Sequence, residues 1–120
     1  MAVRAVRGAI QLERDDRDHL LSGVTDLVKA VMDANGLVTD DLISMLFTAT
    51  PDLTSEFPAL AARELGIVDV PLMCAQEIDV VGSMPRVVRL LAHIETLRTR
   101  HEIQHVYLGG AVALRKDIAQ

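Results

Sequence analysis

The chain has 120 residues, the length of one ordinary domain, and we predict a single domain over residues 1–120. Half of the residues are apolar but only 2% are aromatic, so aliphatic side chains must fill the core. The net charge of −5 argues against general binding to nucleic acid or to an anionic membrane. No apolar run reaches membrane-spanning length, and the single cysteine cannot form an internal disulfide, so we expect a reducing, cytoplasmic location.

In the first third of the chain, the sequence pattern predicts a strand and then a helix, which is the most clearly patterned element of the whole sequence. Residues 3–11 are β-branched and partly alternating, which favours a strand with Arg7 near its middle, and Gly8 would let another element approach closely. From about residue 16 to residue 34, apolar side chains recur at helical spacing. An aspartate at 15 or 16 can cap the start of this helix, and Asn35-Gly36 can end it.

The middle of the chain predicts shorter elements. Thr39-Asp40-Asp41 can cap one helical turn ahead of a buried strand at 42–48, and residues 49–52 then mark a loop. Pro58 can open a short helix that Gly66 ends.

The last third of the chain is mainly β-patterned. Residues 72–78 form another apolar stretch. The pattern over 86–97 fits either a helix or a strand, and the alternation of its apolar residues favours the strand. Residues 104–108 alternate as a strand. Gly109-Gly110 then turns the chain into either a hairpin strand or a short helical turn through Leu114.

Strands and helices interleave, which is typical of the α/β and α+β classes. We predict an α+β fold with a mixed β-sheet of about five strands, one long helix and one or two short helices. One long helix covers only one face of such a sheet. The other face needs a partner, and oligomerisation is the simplest way to supply it.

Four of the twelve basic residues lie in or beside apolar segments: Arg7, Arg63, Arg89 and Arg115. A guanidinium offers planar paired donors that match a carboxylate, and it stays charged at any working pH. Taken alone, each is more commonly a surface residue with a solvated head group. Glu77 and Tyr107 are also more often outward polar positions of a strand. In an acidic chain, however, an anionic ligand would require arginines to be gathered locally.

Residues 101–105 spell the HExxH pattern of zinc proteases, which requires a helix to place both histidines on one face. Here the pattern runs directly into β-patterned residues, so we predict no metal site. His19 and His93 have no partner at metal spacing, and Cys74 alone is most simply a small core residue. The sequence shows no activated nucleophile and no phosphate loop. If the protein is an enzyme, its chemistry should therefore require neither a covalent intermediate nor a metal.

Six segments of the sequence, in the same order and spacing, resemble the AroH-type chorismate mutases. They are VRAVRGA at 3–9, ERD at 13–15, TATPDL at 48–53, FPA-AARELG at 57–66, VPLMCAQEIDV at 70–80 and HVYLGGAVALR at 105–115. Together they span nearly the whole chain and are highly specific, whereas any one of them alone would be weak.

The resemblance implies a homotrimer whose subunits form a pseudo-α/β-barrel, with active sites at the subunit interfaces. It also implies an isomerase that rearranges chorismate to prephenate in phenylalanine and tyrosine biosynthesis, without a cofactor. Such a trimer would supply the missing cover for the sheet.

The resemblance assigns five inner residues to this reaction. Arg7 would bind a substrate carboxylate, and Arg89 would face the ether oxygen on which negative charge grows. Glu77 and Cys74 would face the ring hydroxyl and the developing positive charge on the ring. Tyr107 would hydrogen-bond the side-chain carboxylate. The implied catalytic residues are Arg7, Glu77 and Arg89.

The resemblance places further substrate-binding residues at the edge of the site. Phe57, Ala59 and Met73 would form an apolar wall that comes from the neighbouring subunit. Arg63 and Arg115 resemble outer arginines that assist binding and closure.

Leu114 is the last substrate-binding residue that the resemblance implies. The sequence departs from the family pattern at two places in this outer region. Leu60 stands where family members often have lysine, which removes a positive charge from the mouth of the cleft. Residues 114–117 read LRKD where proline more often follows the arginine, which puts closure by the tail in doubt. Neither departure touches the inner residues.

Two other hypotheses remain open from the sequence. A trimeric RidA-like enamine deaminase or a carboxylate-binding regulatory module could use one arginine, but would have no reason to combine Arg89 with Glu77 and Cys74. A purely structural trimer would leave the arginines in apolar segments unexplained.

Overall fold

The computed structural model describes residues 1–114. Its helices and strands follow in the order β1 (Ala2–Gln11), α1 (Arg17–Ala34), β2 (Leu42–Ala49), α2 (Ala59–Glu64), β3 (Leu72–Gln76), β4 (Val87–Thr96) and β5 (Val106–Leu108). Short 3-10 turns cover Thr39–Asp41, Arg100–Glu102 and Gly109–Leu114. The predicted α+β class, with a five-stranded sheet and one long helix, is confirmed.

The five strands form one mixed sheet in the order β3-β2-β4-β1-β5. Strand β4 runs antiparallel to both of its neighbours, β1 and β2, while the outer strands β3 and β5 run parallel to β2 and β1. In this register Arg89 of β4 lies between Ala9 of β1 and Thr48 of β2, and Thr48 in turn pairs with Ala75 of β3.

One face of the sheet packs against α1. Alternate strand residues such as Val6, Phe47 and Leu90 point to this side and are fully or almost fully buried. A Cβ atom built at Gly8 would lie 3.1 Å from both Leu27 Cδ1 and Val31 Cγ2. The close approach predicted at Gly8 is therefore confirmed, and the approaching element is α1. Burying each large aliphatic side chain here contributes about 1.5–3 kcal/mol.

Both ends of α1 match the predicted signals. Asp16 accepts a hydrogen bond from the His19 N–H at 3.0 Å, which satisfies a free donor of the first turn. After the helix, the buried Asn35 side chain donates to Val31 O and Gln104 O at 2.9 Å and accepts from Gln104 N at 2.8 Å. Gly36 then takes a positive φ of 60°, which ends the helix.

The structure corrects two predicted strand limits. Strand β3 ends at Gln76, so residues 77–78 fall outside the stretch predicted at 72–78, although the Glu77 N–H still donates to Ala49 O at 2.9 Å. Strand β5 begins at Val106, because the backbone of Gln104 bonds to Asn35 and the His105 ring accepts a backbone hydrogen bond instead.

The structure also shows which secondary structure the two ambiguous segments adopt. Residues Val87–Thr96 form a strand, as favoured, and Gly109–Leu114 form a short 3-10 helical turn rather than a hairpin strand. The HExxH pattern falls on a 3-10 turn followed by β5, so it lacks the helix that a zinc-protease site requires. Within residues 1–114, neither helix has the length and apolar character that crossing a membrane would need.

Candidate active site

The face of the sheet opposite α1, which we call the open face, carries a hollow of about 210 Å³ over β1, β2, β4 and β5. We name it the arginine hollow. Its main lining residues are Arg7, Leu46, Thr48, Arg89, Leu91 and Tyr107. The strands' two-residue alternation places these side chains on the face that α1 leaves uncovered.

Arg89 and Glu77 form an ion pair at this hollow, with Arg89 Nε 3.1 Å from Glu77 Oε2. The Arg89 side chain is 43% exposed, whereas that of Glu77 is 17% exposed. The same carboxylate oxygen accepts a hydrogen bond from Thr48 Oγ1 at 2.6 Å. Although it is so close to the carboxylate, the buried Arg89 Nε makes no aligned hydrogen bond in the described part of the chain. The attraction between the two side chains is therefore mainly electrostatic.

The backbone of Arg7 is fixed by His105. The Arg7 N–H donates to His105 Nδ1 at 3.0 Å, where β5 no longer pairs with β1. Burial lowers the pKa of His105, which favours the neutral ring that can accept this bond. The Arg7 side chain itself is exposed and lines the hollow.

Tyr107 lines the arginine hollow. It is buried and packs in a small cluster with Ala9, Val87 and Ala111, with Leu114 against its edge. This packing holds the phenol ring on the open face, next to Arg7 and Arg89.

A second hollow, of about 310 Å³, lies at β3 and α2. We name it the Phe57 hollow; it is lined by Phe57, Ala59, Arg63, Leu72, Met73 and Cys74. Phe57 and Met73 are 68% and 65% exposed, so this hollow presents two large apolar side chains to solvent. Ala59 is buried in the main hydrophobic core, and Cys74 is half-buried against that core.

The predicted site residues therefore fall into two groups within one chain. Arg7, Arg89 and Tyr107 line the arginine hollow, with Glu77 paired to Arg89 beside it, and the Phe57 hollow is lined by Phe57, Ala59, Arg63, Met73 and Cys74. Cys74 was expected beside Glu77 but lines the Phe57 hollow, because its side chain points to the helix-covered side of β3. Arg115 lies outside the described residues.

Thr48 and His105 were missing from the predicted set. The mostly apolar segment 42–48 contains two hydroxyls, at Ser44 and Thr48, so the sequence alone provided only a weak signal for Thr48. Its importance depends on strand order and register, which place it between Arg89 and the strand that leads to Glu77. His105 stood in the false zinc pattern and in the family segment 105–115, but neither pattern gave it a role of its own.

The arginine hollow combines two guanidinium groups, a phenol and one carboxylate. Such a set can bind a ligand that carries carboxylates, and can stabilise negative charge that grows on an oxygen next to Arg89. Glu77, at the same place, can stabilise positive charge on another part of the ligand.

Comparison with known proteins agrees with this chemistry. Residues 3–118 match the family described as chorismate mutase type I. A chorismate mutase AroH of Thermus thermophilus is 44% identical over 117 residues, covering 97% of this chain and 96% of the relative. The chorismate mutase AroH of Bacillus subtilis (strain 168) is 38% identical over 120 residues, with 99% and 94% covered.

A solved structure gives the same result. A chorismate mutase from Clostridium thermocellum matches with a TM-score of 0.90 and 41% identity, covering 92% of this chain and 98% of that chain. These matches leave the RidA-like and regulatory alternatives without support. From sequence, fold and the residues of the arginine hollow together, we conclude that the chain belongs to the chorismate mutase type I (AroH) family.

Proposed function

We propose that this protein converts chorismate to prephenate at the arginine hollow, as a cytoplasmic enzyme of phenylalanine and tyrosine biosynthesis. The observation that carries the proposal is the Arg89–Glu77 pair, which places a fixed cation and a fixed anion within 3.1 Å of each other beside Arg7 and Tyr107.

The reaction rearranges a single molecule, so the protein accelerates it by stabilising the charges that develop on the substrate and by holding the substrate in a reactive conformation. A C–O bond breaks while a C–C bond forms, and negative charge grows on the ether oxygen as positive charge grows on the ring. Arg89 faces that oxygen and Glu77 faces the ring and its hydroxyl. Because both groups are already oriented, they need no rearrangement at the transition state, and one such donor is typically worth about 10²–10³ in kcat.

Substrate binding selects the compact conformer in which the two reacting carbons are close. Arg7 and Tyr107 hold carboxylates of the substrate, while Arg63, Arg115 and Leu114 act at the outer edge. Holding reacting atoms in a near-attack geometry can supply about 7–11 kcal/mol in favourable intramolecular cases.

We further propose a homotrimer in which the arginine hollow of one subunit faces the Phe57 hollow of the next. Phe57, Ala59 and Met73 then form the apolar wall of each interfacial site. This arrangement is supported by the separation of the two hollows in one chain and by the exposure of Phe57 and Met73. It would also cover the open face of the sheet.

The test is to add the purified protein to chorismate and follow the loss of chorismate absorbance, with the molecular mass measured on the same sample by light scattering. We expect turnover by a species of three subunits. A folded trimer that leaves chorismate unchanged would refute the activity, and turnover by a monomer would refute the interfacial site.

A further inference from the structure

The Oε2 atom of Glu77 has two close neighbours, a hydroxyl and a guanidinium. Thr48 Oγ1 donates a hydrogen bond to this oxygen at 2.6 Å, and Arg89 Nε lies 3.1 Å from it. A hydroxyl bound to a carboxylate at that distance makes a strong, charge-assisted hydrogen bond. The hydroxyl therefore fixes the position of the oxygen.

The Arg89 Nε–H does not point along a hydrogen bond to this oxygen. The atom is buried and has no hydrogen-bond partner among the described residues, although a carboxylate lies in reach. Hydrogen bonds weaken steeply when the donor, hydrogen and acceptor depart from a straight line. The guanidinium is thus attracted by Glu77 but not locked onto it.

The sheet itself places Thr48 between the two charged residues. Thr48 pairs directly with Arg89 on β4 and with Ala75 on β3, two positions before Glu77. The Glu77 N–H is held by Ala49 O at 2.9 Å, so the chain after β3 stays close to the end of β2. A small hydroxyl at position 48 can therefore reach the carboxylate without moving the backbone.

We propose that Thr48 is a positioning residue for the rearrangement, an inference that rests on the proposed function. Its hydroxyl holds Glu77 Oε2 in an orientation that keeps Arg89 from closing into an aligned ion pair. The N–H donors of Arg89 remain directed to the hollow, where the ether oxygen of the substrate becomes anionic. Thr48 lines the hollow, but its hydroxyl is directed to Glu77 and acts through that carboxylate rather than on the reacting bonds.

Removal of the hydroxyl releases the Glu77 carboxylate to rotate, so that it can accept an aligned hydrogen bond from Arg89. The guanidinium then interacts more strongly with Glu77 and stabilises the ether oxygen less at the transition state. Substrate affinity depends mainly on Arg7 and Tyr107, which this change does not touch. We therefore expect kcat to fall while KM stays nearly constant.

Four substitutions isolate the hydroxyl. T48V keeps the β-branched shape without the hydroxyl, whereas T48S and T48A both lack the methyl group and differ in the hydroxyl alone. S44A is the matched control: Ser44 is on the same strand and face, with its hydroxyl 3.3 Å from His93 Nδ1. We expect kcat to fall roughly 10- to 100-fold in T48V and T48A, the loss of a hydrogen bond to a charged group.

T48S should restore kcat to within about threefold of the wild-type value, because the hydroxyl is the group that matters. S44A, the control, should also keep kcat within about threefold of the wild-type value. Equal losses in T48S and T48A, unchanged kcat in T48V, or a loss in S44A as large as that in T48V would each overturn the inference.

A second measurement needs no substrate. The ¹⁵N–¹H signal of Arg89 Nε, identified by its absence in R89K, reports whether this N–H is hydrogen-bonded. We expect it to move in T48V to a position typical of a bonded guanidinium, and to stay in place in T48S. An unmoved signal in T48V overturns the inference even if wild-type turnover is normal, whereas failure of wild-type turnover is a failure of the proposed function alone.

Discussion

The two faces of the sheet are built from the same strands but differ in how they are covered. The face toward α1 is closed within the chain by apolar side chains such as Phe47 and Leu90, which are almost fully buried. The open face presents Arg7, Thr48 and Arg89 around a hollow. The strands' two-residue alternation thus separates residues that hold the fold from residues to which the proposed function assigns contact with the substrate. Substitutions on the open face should lower turnover and leave stability nearly unchanged. Substitutions on the covered face should lower stability and leave the turnover of the folded protein nearly unchanged.

On the open face, Arg89→Ala should produce the greatest loss of activity. We expect kcat to fall by more than the roughly 10²–10³ typical of one fixed donor, because in the proposed mechanism Arg89 stabilises the negative charge that grows on the ether oxygen as its C–O bond breaks. Its Tm should change little, since the side chain is 43% exposed. Arg14→Ala, which removes an exposed arginine, is the control and should leave kcat unchanged. Near-normal turnover in Arg89→Ala would refute the assignment.

On the covered face, Leu27→Ala should show the reverse pattern. Leu27 is fully buried against the sheet, and truncation of such a residue typically costs about 2–5 kcal/mol of the free energy of unfolding. Denaturant unfolding measures this loss. Turnover per folded molecule should remain close to wild type, and a large fall in kcat for the folded fraction would show that the two faces are not separate.

Met73→Glu tests whether the Phe57 hollow contacts another subunit. Met73 is 65% exposed, so a charge there does not disturb the fold of the isolated chain, but it would be desolvated at an interface. We expect light scattering to show a shift from trimer to monomer. Leu97→Glu, at a side chain 83% exposed beyond the end of β4, should keep the trimer. A trimer that persists in Met73→Glu would contradict this interface.

His105 should give a smaller, pH-dependent effect. Burial lowers its pKa below the ordinary value of 6.5, so the unfolded chain binds a proton more readily than the folded one. This contribution to stability is present above pH 6.5 and is lost as the pH falls through that value toward the lowered pKa. Protonation also removes the acceptor for the Arg7 N–H.

The comparison variant for this effect is His105→Asn, whose side-chain oxygen can accept the same bond without titrating. Melting curves at pH 7.5 and pH 5.5 should show a larger drop in Tm for the wild type than for the variant. Equal drops in the two proteins would exclude His105 as the cause.

Local patterns in the sequence predicted the fold class, the helix α1 with both of its ends, and the segments of the strands. These features depend on neighbouring residues: Asp16 caps its own helix, and the alternation over Val87–Thr96 reflects one buried face. The resemblance to the family supplied the site residues, of which Arg7, Glu77, Arg89 and Tyr107 meet in the structure.

The remaining features depend on contacts between distant segments. Strand order and register place Thr48 next to Arg89, and no local pattern contains that information. The late start of β5 has a similar origin, because the backbone of Gln104 is bound by Asn35, 69 positions earlier in the chain. The resemblance assigned Cys74 to the same part of the substrate as Glu77, but the pleat of β3 turns its side chain to the helix-covered side.

Subunit mixing tests the central claim that the arginine hollow of one subunit works with the Phe57 hollow of another. Arg89→Ala damages the first hollow and Arg63→Glu the second, so each pure variant should be nearly inactive. If equal amounts are unfolded together and refolded as mixed trimers, about one quarter of the interfaces join two intact hollows. We predict recovery of about one quarter of wild-type activity by this statistical estimate. Activity no greater than that of the separate variants would contradict the account.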